Sequence, residues 1–298
     1  MLDATNSDVL SIAYVLSTRQ VAQLLAVGEA TVKRWADSAE IQCVRSPSGH
    51  RKFRLRDVTA FVHQRRHEVL GALSSSLTPD GAKAGDAVAA LENYALRGDA
   101  AACVGQMATL RLHGASLAEI FDERLGPALR GLGRKRESGT LSAAEEQLAH
   151  QTIVDAIARA QPLAEPPGEP NRADRGTAVV ATAAADQHDV GAKMAACLLR
   201  ARCFEVLAPP AQTGARDLAE MIVRARAAVV ALACNPRREP HALVEHIDLA
   251  EQAVRQTGGI LLVLGPGADK LRLPHGARLL TSMRQLVAES EPAGRRRA

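Results

Sequence analysis

The chain has 298 residues, enough for two or three domains at about 100–200 residues each. It is 47% hydrophobic and 23% charged, which is the composition of a folded protein rather than a disordered one. No apolar run approaches the ~20 residues that span a bilayer, and the N-terminus lacks the basic-then-apolar order of a signal peptide. The five cysteines contain no C-x-x-C pair, which argues against a disulfide scaffold or zinc ribbon and favours a reducing cytoplasm.

Positive charge is concentrated near the N-terminus. Residues 11–70 hold ten Lys and Arg against five acidic residues, a net charge of +5. The whole chain has a net charge of +4, so the remaining residues sum to about −1. A basic segment joined to a near-neutral remainder predicts a nucleic-acid-binding module.

Two segments predict linkers: residues 74–85, which are rich in Ser, Gly and Pro, and residues 161–176, which hold four prolines and two glycines. They divide the chain into three domains: residues 1–73, 86–160 and 177–290. We therefore expect a multidomain protein that combines helical domains with an α/β domain.

The first domain has the pattern of a winged helix-turn-helix. Ser17 is a candidate N-cap for a helix over TRQVAQLLAV. A turn at Val27-Gly28 separates it from a second short helix, EATVKRWADS. The segment IQCVRSPSGHRKF predicts a two-stranded wing around a Ser-Pro-Ser-Gly turn, and a last helix is expected near residues 56–70.

Polar and basic side chains of the second helix and the wing are candidates for contact with DNA. Thr31, Lys33 and Arg34 would project from the helix towards the major groove, where Lys and Arg donate to guanine. The wing supplies groups suited to phosphates or a minor groove: Arg45, His50, Arg51, Lys52 and Arg54. Trp35 is expected in the small core. The alternative is a basic, solvated surface on a protein-interaction domain.

This domain resembles the winged helix-turn-helix of the MerR family in two segments, LSTRQVAQLLAVGEATVKRWADSAEI and SGHRKFRLRDV. The resemblance implies binding to repeated sites on double-stranded DNA as a dimer or higher oligomer. The long coiled coil that dimerises many MerR proteins has no visible counterpart. Self-association, as a dimer or tetramer, is therefore expected from the later domains.

The middle domain, residues 86–160, shows four amphipathic helical segments with short breaks, which predicts a four-helix bundle. Ser142 and Glu145 form a capping-box pattern at the start of the last helix.

Residues 177–290 alternate short apolar runs with amphipathic helices, which is typical of a doubly wound parallel sheet of the flavodoxin-like class. The expected strands are TAVVAT, FEVL, AAVVALA, GILLVL and ARLLTS. Such sheets bind ligands at the carboxyl ends of their strands.

The first of these strands is followed by Asp186, His188 and Gly191 at a strand-to-helix turn. There His188 could ligate a metal while Asp186 accepts a hydrogen bond from the other ring nitrogen. Gly191 would let a bulky ligand approach the start of the helix. The alternative is a helix-capping aspartate beside a surface histidine.

This Asp-x-His-x-x-Gly pattern resembles the cobalamin-binding domain of methionine synthase and of CarH-type photoreceptor regulators. The resemblance implies that His188 is the lower ligand of the cobalt. The family's Ser-x-Thr or Ser-x-Leu motif aligns with Ala233, Cys234 and Asn235, so the hydroxyl that touches the benzimidazole tail is absent at Ala233.

The family's Gly-Gly pair aligns with Leu264 and Gly265, so one of the two glycines matches. The resemblance therefore implies a tunnel for the nucleotide tail that is narrower or differently shaped.

The bundle resembles the helical cap that precedes the cobalamin domain in CarH-type proteins, where a Trp and a Glu-His pair cover the upper face of the cofactor. Arg136 aligns with the Trp, Glu146 with the Glu and Gln147 with the His. A cation in place of a flat apolar group disfavours an adenosyl ligand, although Arg136 could contact a polar upper ligand or a corrin amide. The alternative is that Arg136 and Glu146 are solvated bundle residues.

These observations predict a transcription regulator rather than an enzyme. The first domain would bind an operator, and the later domains would sense a cobalamin, with a light response as one option, and set the oligomeric state. One alternative keeps the regulator but gives it a degenerate C-terminal part that binds no cobalamin and serves oligomerisation or another ligand. The other is a corrinoid methyltransferase or mutase subunit.

Overall fold

The structure is a computed structural model. It describes residues 15–25, 27–54, 57–58, 60–61, 84–112, 115–164, 175–183, 189–234, 240–265, 268 and 272–291. Three of the predicted ligand residues, Asp186, His188 and Asn235, lie outside the described residues, as does most of the helix predicted near residues 56–70.

The N-terminal domain contains β1 (Val15–Ser17), α1 (Thr18–Leu24), α2 (Glu29–Asp37), β2 (Val44–Arg45) and β3 (Arg51–Arg54). The two helices and the two wing strands are where the sequence predicts them. The strand β1 is an addition, and it pairs antiparallel with β3 in the order β1-β3-β2. Leu16 on β1 lies opposite Phe53 on β3, and both are buried, so the wing is anchored to the core of the domain.

Trp35 lies half-buried on α2, and its ring packs on Phe61 with the ring centroids 4.8 Å apart. Its neighbour Val32 is fully buried. The prediction that Trp35 belongs to the small core is therefore confirmed.

The middle domain contains α3 (Ala84–Leu96), α4 (Ala100–Leu112), α5 (Leu117–Ile120), a π-helix (Phe121–Leu125), α6 (Gly126–Glu137) and α7 (Ala143–Ala164). The segments α5, π-helix and α6 follow one another without a break, so they form one long third helix of the predicted bundle. The predicted capping box starts α7: the Ser142 amide donates to Glu145 Oε2 at 2.8 Å, and the Glu145 amide donates to Ser142 Oγ at 3.2 Å.

Helix α7 continues to Ala164, so residues 161–164, which the sequence predicts as the start of a linker, are helical. Leu163 is fully buried, and its carbonyl accepts a hydrogen bond from Arg111 Nε at 2.9 Å. The apolar contact and this bond to α4 hold the last turn in place, although Pro162 lies within it and proline is unfavourable inside a helix.

The C-terminal domain contains β4 (Thr177–Thr182), α8 (Val190–Ala201), β5 (Glu205–Leu207), α9 (Ala215–Arg224), β6 (Val229–Ala233), α10 (Pro240–Thr257), β7 (Ile260–Leu264), β8 (Ala277–Leu280) and α11 (Met283–Glu289). Its strands are all parallel, in the order β5-β4-β6-β7-β8. This is the doubly wound sheet that the sequence predicts. Its strand order reverses between β4 and β6, which is where such sheets bind ligands.

The bundle packs directly on the α/β domain. Helix α7 lies against α8, where the Cys197 thiol is 3.9 Å from the Ile157 carbonyl oxygen. Burial there raises the pKa of the Cys197 thiol to about 12. Within the described part of the chain, no helix is both long and apolar enough to cross a membrane.

Candidate nucleic-acid and ligand sites

Helix α2 presents the predicted base-contacting residues on its outer face. Gly28 has extended backbone angles and is the residue from which the helix starts. Val32 points into the core, whereas Lys33 and Arg34 are exposed and Thr31 is half-buried. Lys33 and Arg34 are therefore open to solvent, and Thr31 only partly so.

The wing is a short hairpin whose turn depends on Gly49. The Ser46 amide donates to the His50 carbonyl at 2.8 Å, and Gly49 has a φ of +79°, a conformation that favours glycine. The hairpin carries the predicted basic residues: Arg45 on β2, His50 before β3, and Arg51, Lys52 and Arg54 on β3. Arg45 and His50 are exposed, and the other three are half-buried.

One wing residue is held by helix α2. Arg51 Nη2 donates to Asp37 Oδ1 at 2.5 Å, and the Arg51 side chain is only 19% exposed. Asp37 is the last residue of α2 and lies one turn after Lys33, on the same side of the helix. Arg51 thus ties the wing to α2. The sequence predicts Arg51 as a DNA contact but does not reveal Asp37 as its partner.

The structure brings two predicted ligand residues together at the carboxyl edge of the sheet. Gly191 is in the first turn of α8, and Ala233 and Leu264 are the last residues of neighbouring strands and face each other in register. A Cβ added to Gly191 would lie 3.7 Å from Ala233 Cβ and 3.9 Å from Leu264 Cδ1. The start of the helix therefore packs on the two strand ends.

Gly265 has a structural reason to be glycine. Its φ is +138°, and an added Cβ would lie 2.0 Å from the Cys234 carbonyl oxygen. The Cys234 amide donates to the Leu264 carbonyl at 2.8 Å, so the backbone that follows β6 stays beside the end of β7. Any larger residue at position 265 would force these two backbones apart.

The two predicted upper-face residues form an ion pair at the loop between α6 and α7. Arg136 Nε lies 3.7 Å from Glu146 Oε2, with the Arg136 side chain 45% exposed. Gln147, which follows Glu146, is exposed. Among the described residues, neither Arg136 nor Glu146 has a hydrogen bond or ion pair to the α/β domain. Arg136 keeps unused guanidinium donors that could bind a polar group.

A charged cluster that the sequence does not reveal joins the bundle to the α/β domain. Asp122, in the π-helix, accepts hydrogen bonds from the backbone amides of Met283 at 2.7 Å and Arg284 at 3.1 Å. The Arg284 side chain reaches Glu123 Oε1 at 3.3 Å, Asp122 Oδ2 at 3.6 Å and Glu119 Oε1 at 3.9 Å. Only the tertiary fold brings these distant residues together.

Glu119 is also half of a capping box at the start of α5. Its amide donates to Ser116 Oγ at 3.1 Å, and its Oε2 accepts from the Ser116 amide at 2.7 Å. These hydrogen bonds, helped by the charges of Arg284 and Arg111, lower the pKa of the Glu119 carboxyl.

No group of three His, Cys, Asp or Glu in the described part of the chain is arranged to hold a metal ion. His246 is buried between two carbonyls, with Nδ1 2.9 Å from the Ala242 oxygen and Nε2 3.2 Å from the Thr213 oxygen. Its role is therefore in packing α10 against the loop before α9.

Two family profiles match this chain. Residues 15–66 match a helix-turn-helix domain, and residues 87–161 match a B12 binding domain. The chain thus carries a DNA-binding domain of the helix-turn-helix type and a B12 binding domain. Among curated proteins, none matches this chain in sequence.

Comparison with solved structures finds corrinoid proteins that are similar to this chain. The monomethylamine corrinoid protein of Methanosarcina barkeri is 12% identical, with a TM-score of 0.53 over 70% of this chain and 98% of that one. The methanol:cobalamin methyltransferase complex of the same organism is 13% identical over 77% and 89%, with a TM-score of 0.34. A cobalamin-binding protein of Desulfitobacterium hafniense is 15% identical over 68% and 96%, also with a TM-score of 0.34. The first of these likenesses establishes the fold.

Proposed function

We propose that this chain, which carries a helix-turn-helix domain and a B12 binding domain, is a transcription regulator whose DNA affinity responds to a bound corrinoid. The observation that carries the proposal is the presence of both domains in one chain. The direct packing of the bundle on the α/β domain supports it, because a ligand held there can alter how the bundle is positioned. A regulator of this kind works in the compartment that holds the DNA.

DNA binding rests on the exposed face of α2. The double variant Lys33→Ala with Arg34→Ala should weaken binding to a DNA site obtained by in vitro selection by about 1–3 kcal/mol for a base contact. Fluorescence anisotropy of labelled DNA measures the effect. Arg224→Ala is the control. Arg224 is 82% exposed on α9, so this variant removes one positive charge outside the N-terminal domain. Equal affinities for the double variant and the wild type would rule out α2 as the recognition helix.

The ion pair between Asp37 and Arg51 should matter for specificity rather than for affinity alone. Asp37→Asn frees the wing from α2 and removes a negative charge near the DNA, so non-specific binding should tighten while the preference for the selected site falls. Glu29→Gln is the matched control, because it removes an acid from the first turn of the same helix. If both variants change the preference equally, the effect is one of charge only.

Corrinoid binding is supported by the family match and by the shared fold, and Arg136 bears on which upper ligand is accepted. We expect hydroxocobalamin to co-elute with the full chain. The substitution His188→Ala should change the visible spectrum of the bound hydroxocobalamin and weaken its binding. Adenosylcobalamin should bind less well, because the charged Arg136 is a poor surface for adenine. Light should therefore change the oligomeric state of the protein little. Spectra recorded in the dark and after illumination measure this, and absence of any corrinoid at micromolar concentration would overturn it.

One observation favours a second candidate, a regulator whose C-terminal part binds no corrinoid. Ala233 and Leu264 pack on Gly191 where a ligand tail would otherwise enter.

With or without a bound corrinoid, we propose that residues 86–290 join copies of the chain into a dimer or larger oligomer. Light scattering on the full chain, with and without hydroxocobalamin, tests this, and a monomer under both conditions would contradict it.

A further inference from the structure

The space between the start of α8 and the ends of β6 and β7 is too narrow for an aromatic ring. A Cβ on Gly191 would lie 3.7 Å from Ala233 Cβ, and one carbon–carbon bond is about 1.5 Å, so Gly191 Cα lies at most about 5.2 Å from that atom. A flat ring between two walls needs about 7 Å, because carbon atoms approach to about 3.5 Å on each face. The gap is short of this width by nearly 2 Å on these values.

The walls of this gap are parts of the core. Ala233 is 5% exposed and Leu264 is 6% exposed, and both pack with α8 in one apolar cluster. The strands cannot open beside them, because the Cys234 amide donates to the Leu264 carbonyl and Gly265 packs on the Cys234 backbone. A ring could enter only if the Leu264 side chain or the whole helix moved.

The other flank of the start of α8 has a small pocket. A pocket between Thr182, Asp189 and Pro209 has a volume of about 10 Å³, which is room for about one water molecule. Neither the contact of Gly191 with Ala233 nor this pocket leaves room for an aromatic ring.

We infer that the corrinoid taken by this protein is one without an inserted lower base, of the cobinamide kind, in preference to a complete cobalamin. The inference rests on the proposed function, since it concerns the same site. The positions of Ala233 and Leu264 are those that the resemblance to cobalamin-binding domains assigns to the nucleotide tail. Here these side chains occupy that space themselves, so a complete cobalamin must displace them or leave its base in solvent.

Spectrophotometric titration of the full chain with aquocobinamide and with hydroxocobalamin, under one set of conditions in the dark, tests the inference. Cobinamide should bind at least about ten times more tightly. If hydroxocobalamin binds equally well or better, the inference is wrong and the proposed function stands. If neither corrinoid binds, both are wrong.

Leu264→Ala tests the β7 side of the same gap, because it removes Leu264 Cδ1, which lies 3.9 Å from a Cβ built on Gly191. The ratio of the two affinities should then move towards hydroxocobalamin by at least about fivefold. Leu280→Ala is the matched control, since Leu280 is buried, ends β8 and lies opposite Leu264 in register. It should leave the ratio as in the wild type, and an equal shift in both variants would overturn the inference. Should either variant fail to fold, the wild-type ratio decides alone.

Discussion

Replacement of Asp122 by Ala should loosen helix α11 from the bundle. The Asp122 carboxylate is 14% exposed and accepts hydrogen bonds from the backbone amides of Met283 and Arg284. Hydrogen bonds to a charged group contribute about 1.5–3 kcal/mol. The contacts of the Arg284 side chain add little, because it is 52% exposed and such pairs contribute about 0–1 kcal/mol. We therefore expect the local opening of α11 to become easier by about 2–3 kcal/mol.

Amide hydrogen exchange is the suitable assay, because it reports the opening of one helix rather than the unfolding of a multidomain chain. Exchange of the amides of residues 283–289 should accelerate by about 30- to 150-fold in Asp122→Ala. Glu123→Gln is the control, since Glu123 is 46% exposed, contacts only the Arg284 side chain in this cluster, and should change exchange by at most about fivefold. If the two variants exchange alike, Asp122 does not hold the helix and the reasoning fails.

Three further predictions concern packing, protonation and thiol reactivity. Gly191→Ala should stabilise the protein by about 0.5–1 kcal/mol, because the added Cβ meets ordinary contacts in a helix; a lower melting temperature would contradict the described packing. Glu119→Gln should reduce stability at neutral pH. Because the folded pKa of Glu119 is lowered, the stabilisation is present above its unfolded pKa and is lost as the pH falls through the folded pKa, so urea unfolding of variant and wild type should converge in acid. Burial raises the pKa of the Cys197 thiol to about 12, so a thiol reagent should label half-buried Cys43 well before Cys197; mass spectrometry showing equal labelling would refute this.

Much of the fold follows from local patterns. The apolar runs that become β4, β6 and β7 are each flanked by an amphipathic helix, and this alternation specifies a parallel sheet. The π-helix and β1 were not predicted. Strand β1 has three residues and exists through its pairing with β3, which lies far along the chain, and no short-range signal marks it.

The candidate sites were predictable in part. Periodicity places Lys33 and Arg34 on the exposed face of α2, and the strand ends place Gly191 near Ala233. The partners of charged residues were not predictable, because Arg284 is 162 residues from Asp122 and the two meet only after the domains pack. Likewise, a basic wing residue indicates a phosphate contact until the structure shows Asp37 bound to it.

Under the proposed function, occupancy of the C-terminal part by a corrinoid changes the affinity of the N-terminal domain for DNA. The most direct measurement is an anisotropy titration of a selected DNA site with the full chain, without ligand and with saturating aquocobinamide or hydroxocobalamin, while the visible spectrum reports occupancy. The Kd for DNA should change by at least about fivefold when a corrinoid is bound. An unchanged Kd with the spectrum showing full occupancy would contradict it.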